Sequence, residues 1–440
     1  MINLNIKDDS RKVVKGDIFV ALKKTHDGHD YILDAIKNGA SKVIVEEGNY
    51  DVETIVTEDT HNYLVNYLYD NYYDQIKNLK LIGMTGTNGK TTTCFLIYQA
   101  LNKLGIKCAY IGTIGFYLDE KIKDLSNTTP DILEIYELLL TCVENNIEYV
   151  VMECSSHALD MKRLDKLKFK YGIFSNLTED HLDYHKSFDN YIKAKQVLFE
   201  NVTDKTFVNI DDLYKDYFIK DNSITYGIGS GDYKLTDYVI NLEGSSFKVN
   251  DISYKTKLIG KHNLYNILVV IALLSELNLD TSVIEQLVCP PGRMDIIKKD
   301  SNLIIIDYAH TPDAVLNVIK AVKELNPNHI ITIIGCGGDR DSFKRPIMSD
   351  IACSNSDYVI FTNDNPRSEN PNNIISDMLH NLDKFNYEII LNREKAIIKG
   401  IQMLSFNDIL LVLGKGHETY QIINNIKYDF DDKKIVLENI

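Results

Sequence analysis

At 440 residues the chain exceeds what one hydrophobic core usually holds, so two or three domains are expected. A net charge of −15, with 25% charged and 44% hydrophobic residues, excludes a general nucleic-acid or anionic-membrane binder. Anionic ligands must then be held by local clusters of Lys, Arg and backbone N–H groups.

The seven cysteines form no Cys-x-x-Cys pair and sit mostly in apolar runs, the pattern of buried thiols in a reducing compartment. The first ten residues lack a signal-peptide pattern, and no apolar run approaches the roughly 18 residues of a membrane span. A cytoplasmic location without membrane insertion is expected. Residues 1–79 read as a small α/β unit, with strands at 18–22 and 42–45 and helical patterns at 31–38 and 61–76. Polar clusters around Ser10 and Thr25-His26-Asp27 lie beside these strands.

Residues 80–289 read as a second, larger α/β domain. An apolar strand at 81–84 runs into Gly86-Thr87-Asn88-Gly89-Lys90-Thr91-Thr92, and a helical pattern follows at 92–104. Such a strand-to-helix loop aims backbone N–H groups at a phosphate chain, adds the Lys90 charge, and places the Thr91 hydroxyl for Mg²⁺. Met84 stands where the general phosphate-loop pattern has its first Gly. Strands at 108–111, 149–152 and 172–175, separated by helical patterns, predict a mostly parallel sheet. Further strands and turns are expected at 205–258 and a helix at 261–277, before Cys289-Pro290-Pro291-Gly292 breaks the periodicity.

Residues 290–440 alternate strands at 303–307, 330–335, 358–362, 388–391 and 409–413 with helix-sized segments. That pattern predicts a Rossmann-like, doubly wound domain with ligands at the carboxyl ends of its strands. Polar clusters lie there, including Arg340, Asp364-Asn365-Pro366-Arg367 and Gly414-Lys415-Gly416-His417-Glu418. The two arginines suit bidentate carboxylate recognition. Glu153 and His181 follow two strands of the central region, at the same edge as the phosphate loop, where they could position a divalent ion.

These motifs, with Asn127-Thr128-Thr129-Pro130-Asp131, Glu153-Cys154-Ser155-Ser156-His157, the run from Asn176 to His185, Gly292-Arg293-Met294 and Asp307-Tyr308-Ala309-His310, closely resemble the Mur ligase family. The likeness runs in order from Asp9 to Tyr420 and accounts for Met84, because that family uses the shorter loop. It is narrower to the members that add the third residue of the peptidoglycan stem peptide. The resemblance implies a three-domain enzyme: one domain for the UDP end, one for ATP, and one that closes over the incoming amino acid. ATP would phosphorylate the D-glutamyl γ-carboxylate of a UDP-linked muramoyl dipeptide, and an amine would attack the acyl phosphate. Small-molecule substrates and a monomer are expected.

Residue by residue, the resemblance assigns Lys90 to the phosphates, and Thr91, Glu153 and His181 to Mg²⁺. Lys195, by spacing an ordinary helix lysine, matches a family lysine that CO₂ converts to a metal-holding carbamate. Asn266, Arg293 and Asp307 match ATP-side positions. Ser10 and Lys24, Thr25 and His26 match uridine-end contacts; Asn127, Thr128, Thr129, Ser155 and Arg163 match contacts to the muramoyl dipeptide. Arg340, Asp364, Asn365, Pro366, Arg367, Gly414 and Glu418 match the amino-acid pocket, and Asp364-Asn365-Pro366-Arg367 resembles the signature for meso-2,6-diaminopimelate. Met161 departs from the Gln usual in relatives. The alternatives are L-lysine as the added residue or, in a different class, a non-catalytic nucleotide-dependent binding protein.

Overall fold

The computed structural model describes every residue except Met1, Thr25 and Leu242, so the expectation for Thr25 falls outside the described residues. Two compact units divide the chain, Met1–Tyr226 and Gly227–Ile440. No helix among the described residues is long and apolar enough to cross a membrane.

The first unit opens with a four-stranded parallel sheet, β1 (Ile6–Lys7), β2 (Ile18–Val20), β3 (Lys42–Val45) and β4 (Glu53–Val56), in sequence order. After the helix Thr60–Ile76 comes a larger sheet. Its strands are β5 (Lys80–Thr85), β6 (Cys108–Gly112), β7 (Gly115–Tyr117), β8 (Lys121–Lys123), β9 (Tyr149–Glu153), β10 (Phe169–Phe174), β11 (Val202–Asn209) and β12 (Ser223–Ile228). They lie in the order β12-β11-β10-β5-β9-β6-β7-β8, parallel from β12 to β6 and antiparallel in the β7–β8 hairpin. Central β5 carries the phosphate loop at its carboxyl end. The helix Phe188–Glu200 packs so tightly over it that a Cβ on Gly83 would stand 2.6 Å from Leu198 Cδ1 and 2.7 Å from Phe169 Cδ1. Glycine is required there by close approach rather than by a turn.

The second unit begins with an antiparallel meander of β13 (Tyr233–Asn241), β14 (Gly244–Val249) and β15 (Ile252–Thr256), followed by the helix Lys261–Glu276. Its main sheet has β16 (Asp295–Lys299), β17 (Asn302–Asp307), β18 (Ile330–Ile334), β19 (Tyr358–Phe361), β20 (Tyr387–Ile389) and β21 (Ile409–Leu413), in the order β16-β17-β21-β18-β19-β20. Only β16 runs antiparallel. Ile305, Leu411 and Leu413 enter the core on one face, and Ile304, Ile306, Leu410 and Val412 the core on the other. Both faces are thus covered, as a doubly wound parallel sheet requires. A hairpin, β22 (Tyr420–Ile423) and β23 (Ile426–Asp429), precedes the last helix, Asp432–Glu438. That helix is clasped by a fully buried ion pair, with Arg393 Nε and Nη2 at 2.8 and 2.7 Å from Asp432, while Nη2 also donates to the Leu413 carbonyl.

Candidate active site

The phosphate loop turns on two glycines in positive φ, Gly86 (150°) and Gly89 (89°), and Gly89 opens the helix Lys90–Lys103. A side chain at Gly86 would collide with the Ser175 hydroxyl. The loop is braced from β10: Asn176 accepts the Thr87 N–H on its carbonyl (2.8 Å) and the Asn88 N–H on its side chain (2.9 Å). These two amides, which the sequence pattern directs at a phosphate, are turned inward instead. The amides of the helix's first turn, with the positive end of its dipole, remain as the anion-facing surface. Lys90 folds back so that its ammonium donates to the carbonyls of Gly86 (2.8 Å) and Thr87 (2.9 Å).

Glu153, at the carboxyl end of β9, is 1% exposed and accepts four hydrogen bonds. Thr91 Oγ1 (2.9 Å) and Thr113 Oγ1 (3.1 Å) donate to Oε2; the Thr113 N–H (2.8 Å) and the Tyr110 hydroxyl (2.5 Å) donate to Oε1. Burial and the adjacent carboxylate hold the Tyr110 phenol well above its usual range, so it stays a donor. Thr91 and Glu153 meet as their motifs imply, whereas Tyr110 and Thr113, on and after β6, belong to no motif that marks them in the sequence.

Lys195 is brought to the same loop. It is 1% exposed, donates to the Gly86 carbonyl at 2.9 Å, and stands 4.5 Å from the centre of the Tyr191 ring. Burial, reinforced by the Lys90 ammonium, drives its pKa well below 10.5. Reaction with CO₂ needs the unprotonated amine, which burial favours here, and a single protein acceptor leaves the nitrogen accessible to it, so the residue fits the carbamate role. His181 has an αL backbone (φ 55°), with Nε2 3.5 Å from Asp180 Oδ2 and burial lowering its pKa. Its ring meets His157 edge-on at 4.7 Å. Among the described residues no three His, Cys, Asp or Glu side chains gather into a complete metal site. The Thr91–Glu153 pair is a partial oxygen site, which suits Mg²⁺, an ion that keeps waters and substrate oxygens in its shell.

From Glu153 the contacts continue toward a cleft. Thr128 Oγ1 lies 3.1 Å from Thr113 Oγ1, and Thr129 Oγ1 donates to the Glu153 carbonyl (2.7 Å) and accepts the Ser155 N–H (3.0 Å). Ser155 in turn caps the helix Ser156–Asp160. Beyond Thr129 opens a cavity of about 660 Å³, lined in part by Lys24, His61, Asn127, Asp131, Met161 and Arg163. Asp131 holds two cations of the cleft: Lys24 Nζ at 2.5 Å and Arg163 Nε at 2.9 Å. Burial works to raise the Asp131 pKa, but Lys24 and then Arg163 outweigh it and keep the carboxyl ionised. Arg163 also donates to the Thr129 carbonyl (2.9 Å) and approaches the Met161 sulfur at 3.5 Å. Met161 therefore lines the cleft beside Arg163 with a thioether. Ser10 is buried and His26 exposed, and neither lines this cavity.

In the second unit, Asp307 at the end of β17 accepts the N–H groups of Met294 (2.7 Å) and Ala309 (2.8 Å), one on each oxygen. Burial raises its pKa, against the pull of Arg293. Both oxygens are occupied by backbone, so Asp307 pins the Gly292-Arg293-Met294 connection. Gly292 (φ 67°) lies so close to Gly416 and His417 that no side chain fits, and the Arg293 guanidinium stacks 4.8 Å from the Tyr308 ring. Asn266 donates to Asn263 Oδ1 at 2.9 Å inside the helix Lys261–Glu276.

The polar clusters at the carboxyl ends of β18, β19 and β21 converge. Arg367 takes an αL backbone (φ 51°), donates its N–H to the Ile422 carbonyl, and sends Nη1 to the Gly338 carbonyl at 2.7 Å. Arg340 lies exposed beside it across Gly337. Asn365 is buried: Nδ2 donates to Glu418 Oε2 (2.8 Å), and Oδ1 accepts from Ile422 N (2.9 Å). Gly414 (φ 111°) passes against the Asp364 carboxylate, whose backbone carbonyl accepts from Gln421. Pro366 is buried and its carbonyl lies against Gly338.

Comparison with known proteins fits this geometry. Residues 84–274 match the Mur ligase middle domain, and residues 292–416 the Mur ligase, glutamate ligase domain. The chain belongs to the Mur ligase family. Among similar Mur ligases, the UDP-N-acetylmuramoyl-L-alanyl-D-glutamate–2,6-diaminopimelate ligase of Clostridium perfringens is 41% identical, covering 99% of this chain and 94% of its own. The protein of the same name from Cytophaga hutchinsonii is 40% identical, with coverage of 98% and 93%. A solved structure of a ligase of that name superposes with a TM-score of 0.70 at 32% identity, covering 99% of this chain and 94% of the other. The Mur ligase fold extends to a MurF ligase from Thermotoga maritima in complex with ADP, with a TM-score of 0.65 at 19% identity and 94% coverage of each chain.

Proposed function

We propose that this Mur ligase joins meso-2,6-diaminopimelate to UDP-N-acetylmuramoyl-L-alanyl-D-glutamate at the expense of ATP, in cytoplasmic peptidoglycan precursor synthesis. The observation that carries this reading is the unbroken path of contacts from the cleft at Asn127 and Arg163, through Thr128 and Thr129, to Glu153, Thr91 and the phosphate loop. A carboxylate held in the cleft has its route to a nucleotide laid out along that path. Residues 1–79 serve the UDP end through Ser10 and Lys24, Thr25 and His26. Residues 80–289 hold ATP, and residues 290–440 hold the amino acid, with Asn266, Arg293 and Asp307 on the ATP side.

Thr91, Glu153, His181 and a carbamate on Lys195 would hold Mg²⁺, which supplies charge neutralisation on the phosphates. The chain's own groups do the rest. Lys90 and the first-turn amides gather the phosphates in line with the D-glutamyl carboxylate. The buried strand ends exclude water from the acyl phosphate until the amine attacks, after which ADP and phosphate leave. At the far end Arg367 and Arg340 meet the distal carboxylate and Glu418 the distal ammonium. The neutral charge of that pair of groups in diaminopimelate suits a pocket of both signs better than the single cation of lysine. The enzyme acts as a monomer.

The test is phosphate release with purified protein, omitting each substrate in turn. Release is expected only with ATP, the UDP-muramoyl dipeptide and meso-diaminopimelate together. Equal turnover with L-lysine would overturn the specificity, and amino-acid-independent hydrolysis would overturn the ligase reading.

A further inference from the structure

Lys415 is fully buried, an unusual place for an ammonium. It follows Gly414 at the carboxyl end of β21 and points into the second unit. Its Nζ donates to Glu418 Oε2 at 3.0 Å and to Asn365 Oδ1 at 3.2 Å, and stands 5.5 Å from the centre of the Tyr420 ring. Asn365 Nδ2 closes the triangle by donating to the same Glu418 oxygen at 2.8 Å. Two donors therefore saturate Oε2, whereas Oε1 of Glu418 accepts no hydrogen bond from the described residues. A glutamate gripped by one oxygen through a buried cation and a buried amide has lost most of its rotamer freedom and presents the other oxygen in a fixed direction.

We propose that Lys415 is a positioning residue of the amino-acid pocket: it locks Glu418 by Oε2 so that Oε1 is held out for the ammonium of the incoming diamino acid. The pairing has a second effect. Because Lys415 already balances the Glu418 charge, the pocket recognises the ligand's ammonium by the direction of one oxygen, and a bare cation gains little from proximity alone. Asn365 carries the same constraint across to the Arg367 loop, so both ends of the ligand's distal amino-acid group are set by one buried hub. The inference rests on the proposed amino-acid specificity, and its test separates the two.

The test compares wild type, Glu418→Gln and the double variant Lys415→Met/Glu418→Gln in the three-substrate assay. The double variant removes both buried charges together and leaves no unpaired ion, so it keeps the fold where Lys415→Met alone could lose it. Glu418→Gln is expected to raise KM for diaminopimelate at least tenfold with KM for ATP unchanged. If Lys415 acts through Glu418, the double variant adds less than about twofold to that. A further tenfold rise in the double variant would overturn the proposal, because Lys415 would then act independently of Glu418. So would an unchanged diaminopimelate KM in Lys415→Met, should that variant fold; a selective rise there supports the proposal. Wild-type protein that ligates no diaminopimelate at all fails the parent reading before the variants are compared.

Discussion

Replacing Lys195 by Met removes the amine and keeps the length of the side chain, and it should make the ligand-free protein more stable while disabling it. The Gly86 carbonyl is not orphaned by the change, because Lys90 still donates to it at 2.8 Å. What disappears is the cost of burying an ionisable group. In the folded chain the Lys195 pKa lies well below 10.5, so over the range between the lowered value and 10.5 the unfolded state binds a proton that the folded state does not. Stability of the wild type must then rise with pH, by about 1.4 kcal/mol per pH unit in that window, and lose this slope below the folded pKa. The Met variant lacks the slope, so its advantage is largest at and below the lowered folded pKa and shrinks as the pH rises toward 10.5. The assay is urea unfolding of both proteins in CO₂-free buffer, at steps of one pH unit. Parallel pH slopes for wild type and variant would refute the reasoning, since they would mean that the amine is not desolvated in the folded state. Ligation, measured with saturating substrates, should meanwhile fall on the order of 10²–10³-fold, the loss typical for a group that stabilises transition-state charge.

Arg367→Ala should raise KM for diaminopimelate by ten- to a hundredfold, from loss of a charge-assisted contact worth about 1.5–3 kcal/mol, with KM for ATP unchanged. Equal effects on both substrates would remove Arg367 from the pocket. Thr91→Val leaves Glu153 three of its four hydrogen bonds, and should cost about 1 kcal/mol of stability while weakening Mg²⁺-nucleotide binding by calorimetry. Gly292→Ala forces a side chain into a positive φ of 67° and onto the backbone of Gly416 and His417, and should destabilise the chain by about 1–3 kcal/mol in a thermal melt.

Much of the fold could be read from the chain because parallel strands buried on both faces are written as apolar runs ended by polar turns. Helix Lys261–Glu276 and strands β17, β18, β19 and β21 fall within a residue or two of their expected spans. Strand β4 was not legible: Glu53-Thr-Ile-Val is half exposed, and its short run lacks a sustained alternation. The β22–β23 hairpin was not anticipated either, although the positive φ of Asn424 and Asn425 shows why two asparagines stand at its tight two-residue turn. At the site, residues set in motifs were legible, whereas Tyr110 and Thr113 were not. Each acts by approaching a motif residue across the sheet, and sequence spacing holds no record of such a meeting. Lys415 was visible in its motif, but its total burial was not, because a lysine between two glycines reads as a surface turn.

The glycine that matters most for Lys195 is not in the phosphate loop. Gly83, inside β5, lets Leu198 settle onto the strand backbone, and Leu198 rides on the same helix as Lys195, less than one turn away. The clearance at Gly83 therefore sets how far the amine reaches toward the loop. A single methyl there would act as a shim, lifting the helix and drawing the amine off the Gly86 carbonyl without touching any polar group. The reach of the Lys195 amine is in this sense a tolerance machined into an apolar contact.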